Sequence, residues 1–140
     1  MQRTARRSDC PINFALQTVG DPWSLLIIRD LMFTERRTYT DFLNAEEGMA
    51  TNVLADRLER LQTLGLIAKT DTGRGAKFSL TEKGLDLLPA MLQLVAWSAK
   101  YDKRTAAPPD FVARIRKDAR GVAAGLRKEL AARYQLTLAS

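Results

Sequence analysis

The sequence predicts a mainly α-helical protein with one small β-hairpin. Apolar residues recur at helical spacing through most of the chain, whereas strand-like segments flank a glycine-rich turn at one place. A chain of 140 residues with 46% hydrophobic and 27% charged residues has the size and composition of one compact domain. No apolar run approaches the ~20 residues that span a bilayer, and the basic N-terminus leads into no hydrophobic signal region. We therefore expect a cytoplasmic protein that does not enter a membrane.

Proline and glycine mark the ends of the first two predicted helices. Pro11 suits the first position of a helix, and Gly20 marks its end. Asp21 and Pro22 start a second helix, whose apolar residues up to Leu31 are dense enough for a buried helix. We expect this second helix to be the central element of the core.

The next segments predict two helices joined by a tight turn. Thr40 is the predicted N-cap of a brief helix over residues 41–45. A turn containing Gly48 follows, and after it a helix over residues 51–64 with leucines repeating every three or four positions. Two helices connected in this way predict a helix-turn-helix.

A β-hairpin and a long helix complete the main domain. The strands are predicted over residues 66–70 and 76–80, joined by the glycine-rich segment 71–75. A helix is predicted from Thr81 to about Lys100, and apolar residues cover more than half of its circumference. A second surface must therefore cover part of this helix.

Paired prolines within residues 105–110 separate a main domain, 10–100, from a C-terminal segment, 106–140. This segment predicts an amphipathic helix that has no domain of its own to pack on. A homodimer would bury this helix and the apolar excess of the preceding one, because a two-fold axis lets each patch bury its own copy. The residues assigned to the dimer interface are apolar and come from both helices: Leu92, Val95, Phe111, Ile115, Val122, Leu126 and Leu130.

The charge and the residue types exclude several function classes. The chain has 22 Lys and Arg, 16 Asp and Glu and no histidine, so catalytic and zinc sites that depend on imidazole are excluded. Its single cysteine, Cys10, cannot form an intramolecular disulfide, and as a nucleophile it would lack a histidine base. We expect neither an enzyme nor a cofactor or metal. The net charge of +6 is uneven, since residues 1–80 hold 11 basic and 10 acidic side chains and residues 81–140 hold 11 and 6.

The order of these elements is that of a winged helix-turn-helix, and several motifs occur in one linked order. They are Cys10-Pro-Ile12 with Ala15-Leu16, GDPWSLLIIRDL at 20–31, RRTYTDF at 36–42, GMATNVLADRL at 48–58, LGLI at 64–67 and LTEKG at 80–84. Over about residues 10–100 the sequence resembles the HxlR-type bacterial transcriptional regulators. The resemblance implies a dimeric, cytoplasmic DNA-binding repressor or activator, with the helix-turn-helix in the major groove and the wing near the minor groove or backbone. We expect the N- and C-terminal helices to add dimerisation elements to this fold.

The second helix of the motif predicts the residues that read bases. With its leucines facing the core, the helical wheel turns Asn52 and Asp56 outward near the N-terminal end, which reaches base edges best. Asparagine can read adenine through two hydrogen bonds, and a carboxylate can accept one from cytosine. The alternative is a solvated face on which Asp56 pairs with Arg60. We assign base reading to Thr51, Asn52 and Asp56.

Basic residues lie where a winged helix would meet a phosphate backbone. Arg36 and Arg37 precede the first helix of the motif, and Arg74 lies at the hairpin tip between two glycines that allow a close approach. Arg57 is either a phosphate clamp or a structural bridge to a carboxylate. A charge cluster is usually a solvated surface, but these positions favour phosphate contact. The assigned phosphate or wing contacts are Arg36, Arg37, Arg57, Arg60, Lys69, Arg74 and Lys77.

Cys10 is the one reactive side chain that the sequence singles out. It lies at the start of the first helix, where the helix dipole and the nearby Arg3, Arg6 and Arg7 favour a thiolate. The resemblance implies a role as well, since some HxlR-type proteins use the matching cysteine to sense oxidants or electrophiles. The alternative is an inert, partly buried residue, because free cysteine is commonly an apolar filler.

These observations predict a sequence-specific regulator that binds double-stranded DNA as a homodimer on a pseudo-palindromic operator and responds to a small molecule or an oxidant. The alternative is a winged-helix module for protein–protein contact without sequence-specific DNA binding. The small positive excess in the first 80 residues and the acidic residues on the predicted reading face favour this alternative. DNA binding that does not depend on salt would favour it further, because phosphate contacts release counterions.

Overall fold

The computed structural model describes residues 5–71 and 75–139, and the chain divides into two compact units. Unit 1 is Met1–Thr81 and unit 2 is Glu82–Ser140. The boundary between the two units therefore lies before the long helix, which the sequence analysis assigns to the main domain. The prediction of a mainly helical protein with one β-hairpin is confirmed. Within the two described ranges, no helix has the length and apolar character needed to span a bilayer.

Four helices form most of unit 1: α1 (Pro11–Val19), α2 (Ser24–Phe33), α3 (Tyr39–Leu43) and α4 (Thr51–Thr63). As predicted, α1 begins at Pro11 and has Gly20 as its C-cap. Six of the ten residues of α2 are buried, which confirms it as the central core helix. The fully buried side chains of this core come from the helices and the hairpin, and include Ile27, Ile28, Leu31, Phe42, Leu54, Leu61 and Leu80.

The start of α3 differs from the prediction. Thr38, not Thr40, is the N-cap, and its hydroxyl accepts a hydrogen bond from the backbone N–H of Asp41 at 3.1 Å. The Asp41 carboxylate reaches back to the backbone N–H of Thr38 at 3.0 Å, which completes a capping box. Of the two threonines, only Thr38 has an acidic residue three positions later. A cap at Thr38 therefore satisfies two backbone donors, one through Thr38 and one through Asp41, whereas a cap at Thr40 would satisfy one. The backbone N–H of Arg37 also donates to the Asp41 carboxylate, at 2.9 Å, and the hydrogen bonds from Arg37 and Thr38 lower the pKa of Asp41.

The hairpin is a two-stranded antiparallel sheet of β1 (Ile67–Asp71) and β2 (Ala76–Leu80), within one residue of the predicted strands. The register pairs Ile67 with Leu80 at its base. The segment before α3 extends this sheet, because Thr38 forms a β-bridge with Lys77. The hairpin is therefore held to the helix-turn-helix by backbone hydrogen bonding.

The described part of unit 2, residues 82–139, contains three helices: α5 (Glu82–Leu85), α6 (Leu88–Tyr101) and α7 (Pro109–Arg133). The prediction of one helix from Thr81 to Lys100 is wrong, since α5 ends before α6 begins. Pro89 explains the break, because a proline has no backbone N–H for the helix and its ring clashes with the carbonyl four residues earlier. Pro89 lies instead in the first turn of α6, where proline is tolerated.

A kink at Asp118 divides α7 into two helical segments. Asp118 has φ −153° and ψ 73°, and its carboxylate accepts a hydrogen bond from the backbone N–H of Gly121 at 3.0 Å. This is the geometry of an N-cap for the second segment. A Cβ at Gly121 would lie 2.1 Å from the Asp118 carboxylate, so glycine leaves room for the cap.

The prediction that the C-terminal helix lacks a partner inside the chain is wrong. α7 packs against α6, and of the seven residues assigned to a dimer interface Leu92, Ile115, Val122 and Leu130 are buried, while Val95, Phe111 and Leu126 are half-buried. The four buried side chains are not available to a second copy in this conformation. Other apolar side chains are exposed instead: Leu94, Trp97 and Tyr101 on α6, and Ile12, Phe14 and Leu16 on α1.

Candidate nucleic-acid interface

The candidate interface is the outer face of α4. Leu54, Leu58 and Leu61 are buried, so the helix is anchored along one side. Thr51, Asn52 and Asp56 are exposed, as the wheel predicts, and Glu59 and Thr63 continue the same face toward the C-terminal end. Ala50 is the N-cap and provides no side-chain hydrogen bond, so the helix begins without a side-chain cap for its first backbone donors.

Two contacts fix α4 relative to α2 and α3. The Tyr39 hydroxyl donates a hydrogen bond to the carbonyl oxygen of Thr51 at 3.0 Å. In the turn before α4, Glu47 binds the Arg29 guanidinium through both oxygens, at 2.5 and 3.0 Å. Hydrogen bonding to Arg29 lowers the pKa of Glu47. The same turn contains Gly48 with φ +68°, a conformation that favours glycine.

Asp21 is the centre of a polar cluster behind α4. Its carboxylate accepts hydrogen bonds from the backbone N–H groups of Trp23 and Ser24, at 2.9 and 3.0 Å, and from the Ser24 hydroxyl at 2.5 Å. Arg57 of α4 donates to it at 2.9 Å, and Arg60 lies 3.6 Å away. Burial raises the pKa of Asp21, but the hydrogen bonds from Ser24, Trp23 and Arg57 outweigh it and lower the pKa to about 2.

Of the two roles left open for Arg57, the structural bridge is present, since its guanidinium joins Asp21 to Asp56. Asp56 thus pairs with Arg57 and not with Arg60. Arg60 donates to the carbonyl oxygen of Gln17 in α1 as well as approaching Asp21. The side chains of Arg57 and Arg60 are 24% and 22% exposed, so both arginines mainly tie α4 to the preceding elements. Phosphate contact by either of them stays a prediction.

Arg36 and Arg37 also have partners inside unit 1. Arg36 lies 3.2 Å from the carboxylate of Asp30, a buried residue that Arg29 binds as well. Arg37 donates from Nε to the carbonyl oxygen of Phe78 in β2 at 3.0 Å, and its own carbonyl accepts from the Phe78 N–H at 2.8 Å. These contacts orient both guanidinium groups.

The two lysines of the hairpin lie on different faces of the sheet. Lys69 pairs with Phe78 and Lys77 pairs with Thr70, and successive residues of a strand point to opposite faces. Both lysines are exposed. The side chains of Lys69 and Lys77 therefore do not lie on the same surface of the hairpin. Arg74 lies outside the described residues.

Cys10 is exposed and is the N-cap of α1. Of the arginines expected beside it, Arg6 pairs with Asp9 at 3.1 Å and Arg7 donates to Asn13 at 2.9 Å. Arg3 lies outside the described residues. Across residues 5–71 and 75–139, no group of three His, Cys, Asp or Glu side chains is placed to hold a metal ion.

Two features of the interface were missed by sequence reasoning. These are the Asp21 cluster and the Arg29–Glu47 pair. A signal existed for the first, since Asp21 precedes Ser24 by three residues and acidic residues before a helix commonly cap it. Arg29 and Glu47 are 18 positions apart, and a pair at that separation leaves no local signal.

Comparison with known proteins supports the fold and the family. A family model described as HxlR-like helix-turn-helix matches residues 18–106. An uncharacterized HTH-type transcriptional regulator of Mycobacterium tuberculosis (strain CDC 1551 / Oshkosh) is 35% identical over 98 residues, which are 68% of this chain and 61% of that protein. This chain thus spans less than two thirds of the relative's length.

Two solved structures share the fold. PA1607, a candidate transcription factor, has a TM-score of 0.62 and 31% identity, with 75% of this chain and 71% of that chain covered. A candidate transcriptional regulator of the MarR family from Porphyromonas gingivalis W83 has a TM-score of 0.59 and 27% identity, with 71% and 99% covered. The hairpin after α4 and these matches confirm a winged helix-turn-helix. Because the family model covers well over half of the chain, the protein belongs to the HxlR-like helix-turn-helix family.

Proposed function

We propose that this protein is a sequence-specific, DNA-binding transcriptional regulator that acts in the cytoplasm as a homodimer on a pseudo-palindromic operator. The observation that carries the proposal is the outer face of α4, where Thr51, Asn52 and Asp56 are exposed on a helix anchored by buried leucines. Membership of a helix-turn-helix family supports it. The relative from Mycobacterium tuberculosis is itself named a transcriptional regulator.

In this proposal α4 enters the major groove with its N-terminal end toward the bases. Asn52 reads adenine through two hydrogen bonds, and Asp56 accepts one from the amino group of cytosine. Arg57 holds Asp56 from the side and so limits its rotamers before DNA is bound. The backbone donors at the start of α4, which have no side-chain cap, are suited to a phosphate oxygen.

Phosphate contacts in unit 1 come from the segment before α3 and from the hairpin. Arg36 and Arg37 are oriented by Asp30 and by the Phe78 carbonyl, and Lys77 is exposed beside them through the Thr38 bridge. Lys69 and Arg74 belong to the same proposal as wing contacts. These groups fix the register on the duplex and carry no sequence information themselves.

The homodimer is proposed to use apolar side chains that the protomer leaves exposed. Leu94, Trp97 and Tyr101 recur at i, i+3 and i+7 on α6, and the rings of Trp97 and Tyr101 are in contact with centroids 5.6 Å apart. Tryptophan and tyrosine are enriched at the energetic centres of interfaces. Trp97→Ala should raise the dimer dissociation constant in sedimentation equilibrium, whereas Lys128→Ala, an exposed change on α7, should not. A dimer unaffected by Trp97→Ala would remove α6 from the interface.

Selection from a pool of random-sequence duplexes tests the proposal. Wild type should enrich a sequence with two inverted half-sites whose centres lie about 34–36 Å apart or a multiple of that spacing. Asn52→Ala should lose preference at one base pair of each half-site, while Thr63→Ala, on the same face but at the far end of α4, should retain it. If wild type enriches no sequence, or Asn52→Ala retains full preference, α4 is not the reading element.

A protein–protein module is the second candidate, and a specific observation favours it. Asp56 and Glu59 place two carboxylates on the outer face of α4, which opposes the phosphate backbone. This candidate predicts DNA binding that is weak and independent of salt. A steep decrease of DNA affinity between about 50 mM and about 200 mM salt would exclude it.

Cys10 is proposed as the site through which an oxidant or electrophile acts. Its thiol is exposed at the N-terminus of α1, the helix that also exposes Ile12, Phe14 and Leu16. Since the chain has one cysteine, oxidation can link two copies or join Cys10 to a small thiol. Diamide should change operator binding by wild type and leave Cys10→Ser unaffected. An equal response of the two proteins would exclude Cys10 as the site at which the oxidant acts.

A further inference from the structure

We infer that α7 binds the phosphate backbone of DNA through a cluster of exposed cations, and that it adds affinity without adding sequence preference. We call Arg114, Arg116, Lys117 and Arg120 the α7 basic cluster. The inference rests on the proposed DNA binding and assigns a second contact surface to it. The family model ends at residue 106, so family membership gives α7 no role.

The first step concerns where the positive charge of the chain is available. In unit 1, Arg29, Arg57 and Arg60 are held in ion pairs with Asp30, Glu47, Asp56 and Asp21. The outer face of α4 itself presents two carboxylates. A reading helix of this kind contributes little electrostatic affinity, so the cations that attract a duplex must lie outside α4.

The second step concerns the α7 basic cluster. All four side chains are exposed, and within residues 5–71 and 75–139 none of them forms an ion pair. By contrast, Arg127 further along α7 is paired with Glu82 and Asp86. The carboxylate inside the cluster, that of Asp118, accepts the backbone N–H of Gly121. The cluster therefore keeps its charge available to a partner.

The third step concerns which partner the cluster fits. Arg114, Arg116 and Lys117 extend about 4.5 Å along the first segment of α7, and Arg120 follows just beyond the kink at Asp118. This close spacing of cations suits a duplex, which presents one phosphate charge for about every 1.7 Å of its axis. A basic helix can also bind a membrane surface, but it then inserts its apolar face. The apolar residues of α7, including Val112, Ile115 and Val122, are buried in the protein. The exposed surface of α7 is thus polar and cationic, which favours a polyanion over a lipid interface.

The experiment is the salt dependence of DNA affinity, measured by fluorescence anisotropy between about 50 mM and about 200 mM salt. The test variant is Arg114→Gln/Arg116→Gln/Lys117→Gln/Arg120→Gln, and the control is Lys103→Gln/Lys128→Gln, which removes exposed cations of unit 2 outside the cluster. The slope of log K against log salt should become shallower by about 0.9 for each lost phosphate contact, up to about 3.6 per protomer. The control should change the slope less for each charge removed. Affinity should fall alike for the selected operator and a random duplex, and the selected sequence should not change.

Several outcomes would overturn the inference, and they are distinguishable. If the cluster variant keeps the wild-type slope, α7 does not contact DNA, although the proposed function stands. If wild type binds no duplex at any salt, the proposed function fails together with the inference. If the variant instead loses binding to vesicles of equal parts phosphatidylglycerol and phosphatidylcholine, or to poly-glutamate, and keeps DNA affinity, the cluster serves another polyanion. Circular dichroism melting of both variants separates each result from unfolding.

Discussion

The helices α4 and α7 are both amphipathic and both carry arginines. The arginines of α4 point toward the protein, whereas those of the α7 basic cluster point toward solvent. In α4, Arg57 and Arg60 turn back to Asp21 and stabilise the protein, while the outer face holds an asparagine and two carboxylates. In α7, the basic cluster points outward and the apolar residues are covered. The comparison shows that formal charge does not locate the positive surface of this chain. We accordingly propose that specific reading and electrostatic affinity reside on different helices.

The largest expected effect comes from the buried side of α7. Ile115→Ala should lower the free energy of unfolding by about 2–5 kcal/mol, because it removes a fully buried side chain and leaves a cavity. The adjacent exposed change Arg116→Ala should stay within about 0.5 kcal/mol. Urea denaturation at two protein concentrations measures both. If the loss of unfolding free energy caused by Ile115→Ala disappears at high protein concentration, the side chain lies at a subunit interface and not in the core.

The next effect comes from the inner side of α4. Asp21→Ala should destabilise the protein by about 2–3 kcal/mol, because it removes the hydrogen bonds to Trp23 and Ser24 and leaves Arg57 without its main partner. Asp21→Asn keeps an oxygen acceptor and removes the charge, so it should cost less. If the two variants are equally destabilised, the retained acceptor contributes nothing and only the charge of Asp21 matters. If Asp21→Asn is as stable as wild type, the ion pairs to α4 contribute nothing.

The Asp21 cluster should also set a pH dependence. The folded protein lowers the pKa of Asp21 from 3.8 to about 2, so its contribution is fully present above about pH 4 and is lost as the pH falls toward 2. The lowered pKa values of Asp41 and Glu47 act in the same direction. Chemical denaturation between pH 5 and 2 should therefore show a steeper stability loss for wild type than for Asp21→Asn. Parallel curves would contradict the assigned ionisation.

The smallest effect concerns the kink of α7. Asp118→Ala should cost about 1 kcal/mol, because the Gly121 N–H loses its acceptor at the start of the second segment. Asp118→Asn should be nearly neutral, since asparagine caps about as well. Thermal melting of the two variants measures the difference. An Asp118→Ala protein as stable as wild type would show that the two segments of α7 do not depend on this cap.

Local signals in the sequence were sufficient where a residue acts on its immediate neighbours. Pro11 and Gly20 locate α1, the glycine-rich segment locates the hairpin within one residue, and the leucine spacing orients α4 with Asn52 outward. The choice of Thr40 over Thr38 as N-cap overlooked a local signal, since Asp41 three residues after Thr38 predicts a capping box.

The rest depends on which segments meet in three dimensions, and periodicity does not encode that. Arg57 and Asp21 are 36 positions apart, so the sequence could not decide between a phosphate clamp and a bridge. The apolar stripe of α7 predicts burial but not the partner, and α6 takes that place instead of a second copy. Because this packing buries the apolar stripe of α7, the candidate dimer surface consists instead of exposed residues such as Trp97. The sequence alone did not show that Trp97 is exposed.

The division of work between α4 and α7 is tested most directly by the ratio of affinities for the selected operator and for a random duplex. Asn52→Ala should lower this ratio and leave the affinity for the random duplex unchanged. The loss of discrimination should be about 1–3 kcal/mol in binding free energy for each lost bidentate contact. The variant of the α7 basic cluster should lower both affinities and leave the ratio unchanged. A cluster variant that lowers the ratio as much as Asn52→Ala, or an Asn52→Ala protein that retains the wild-type ratio, would contradict the account.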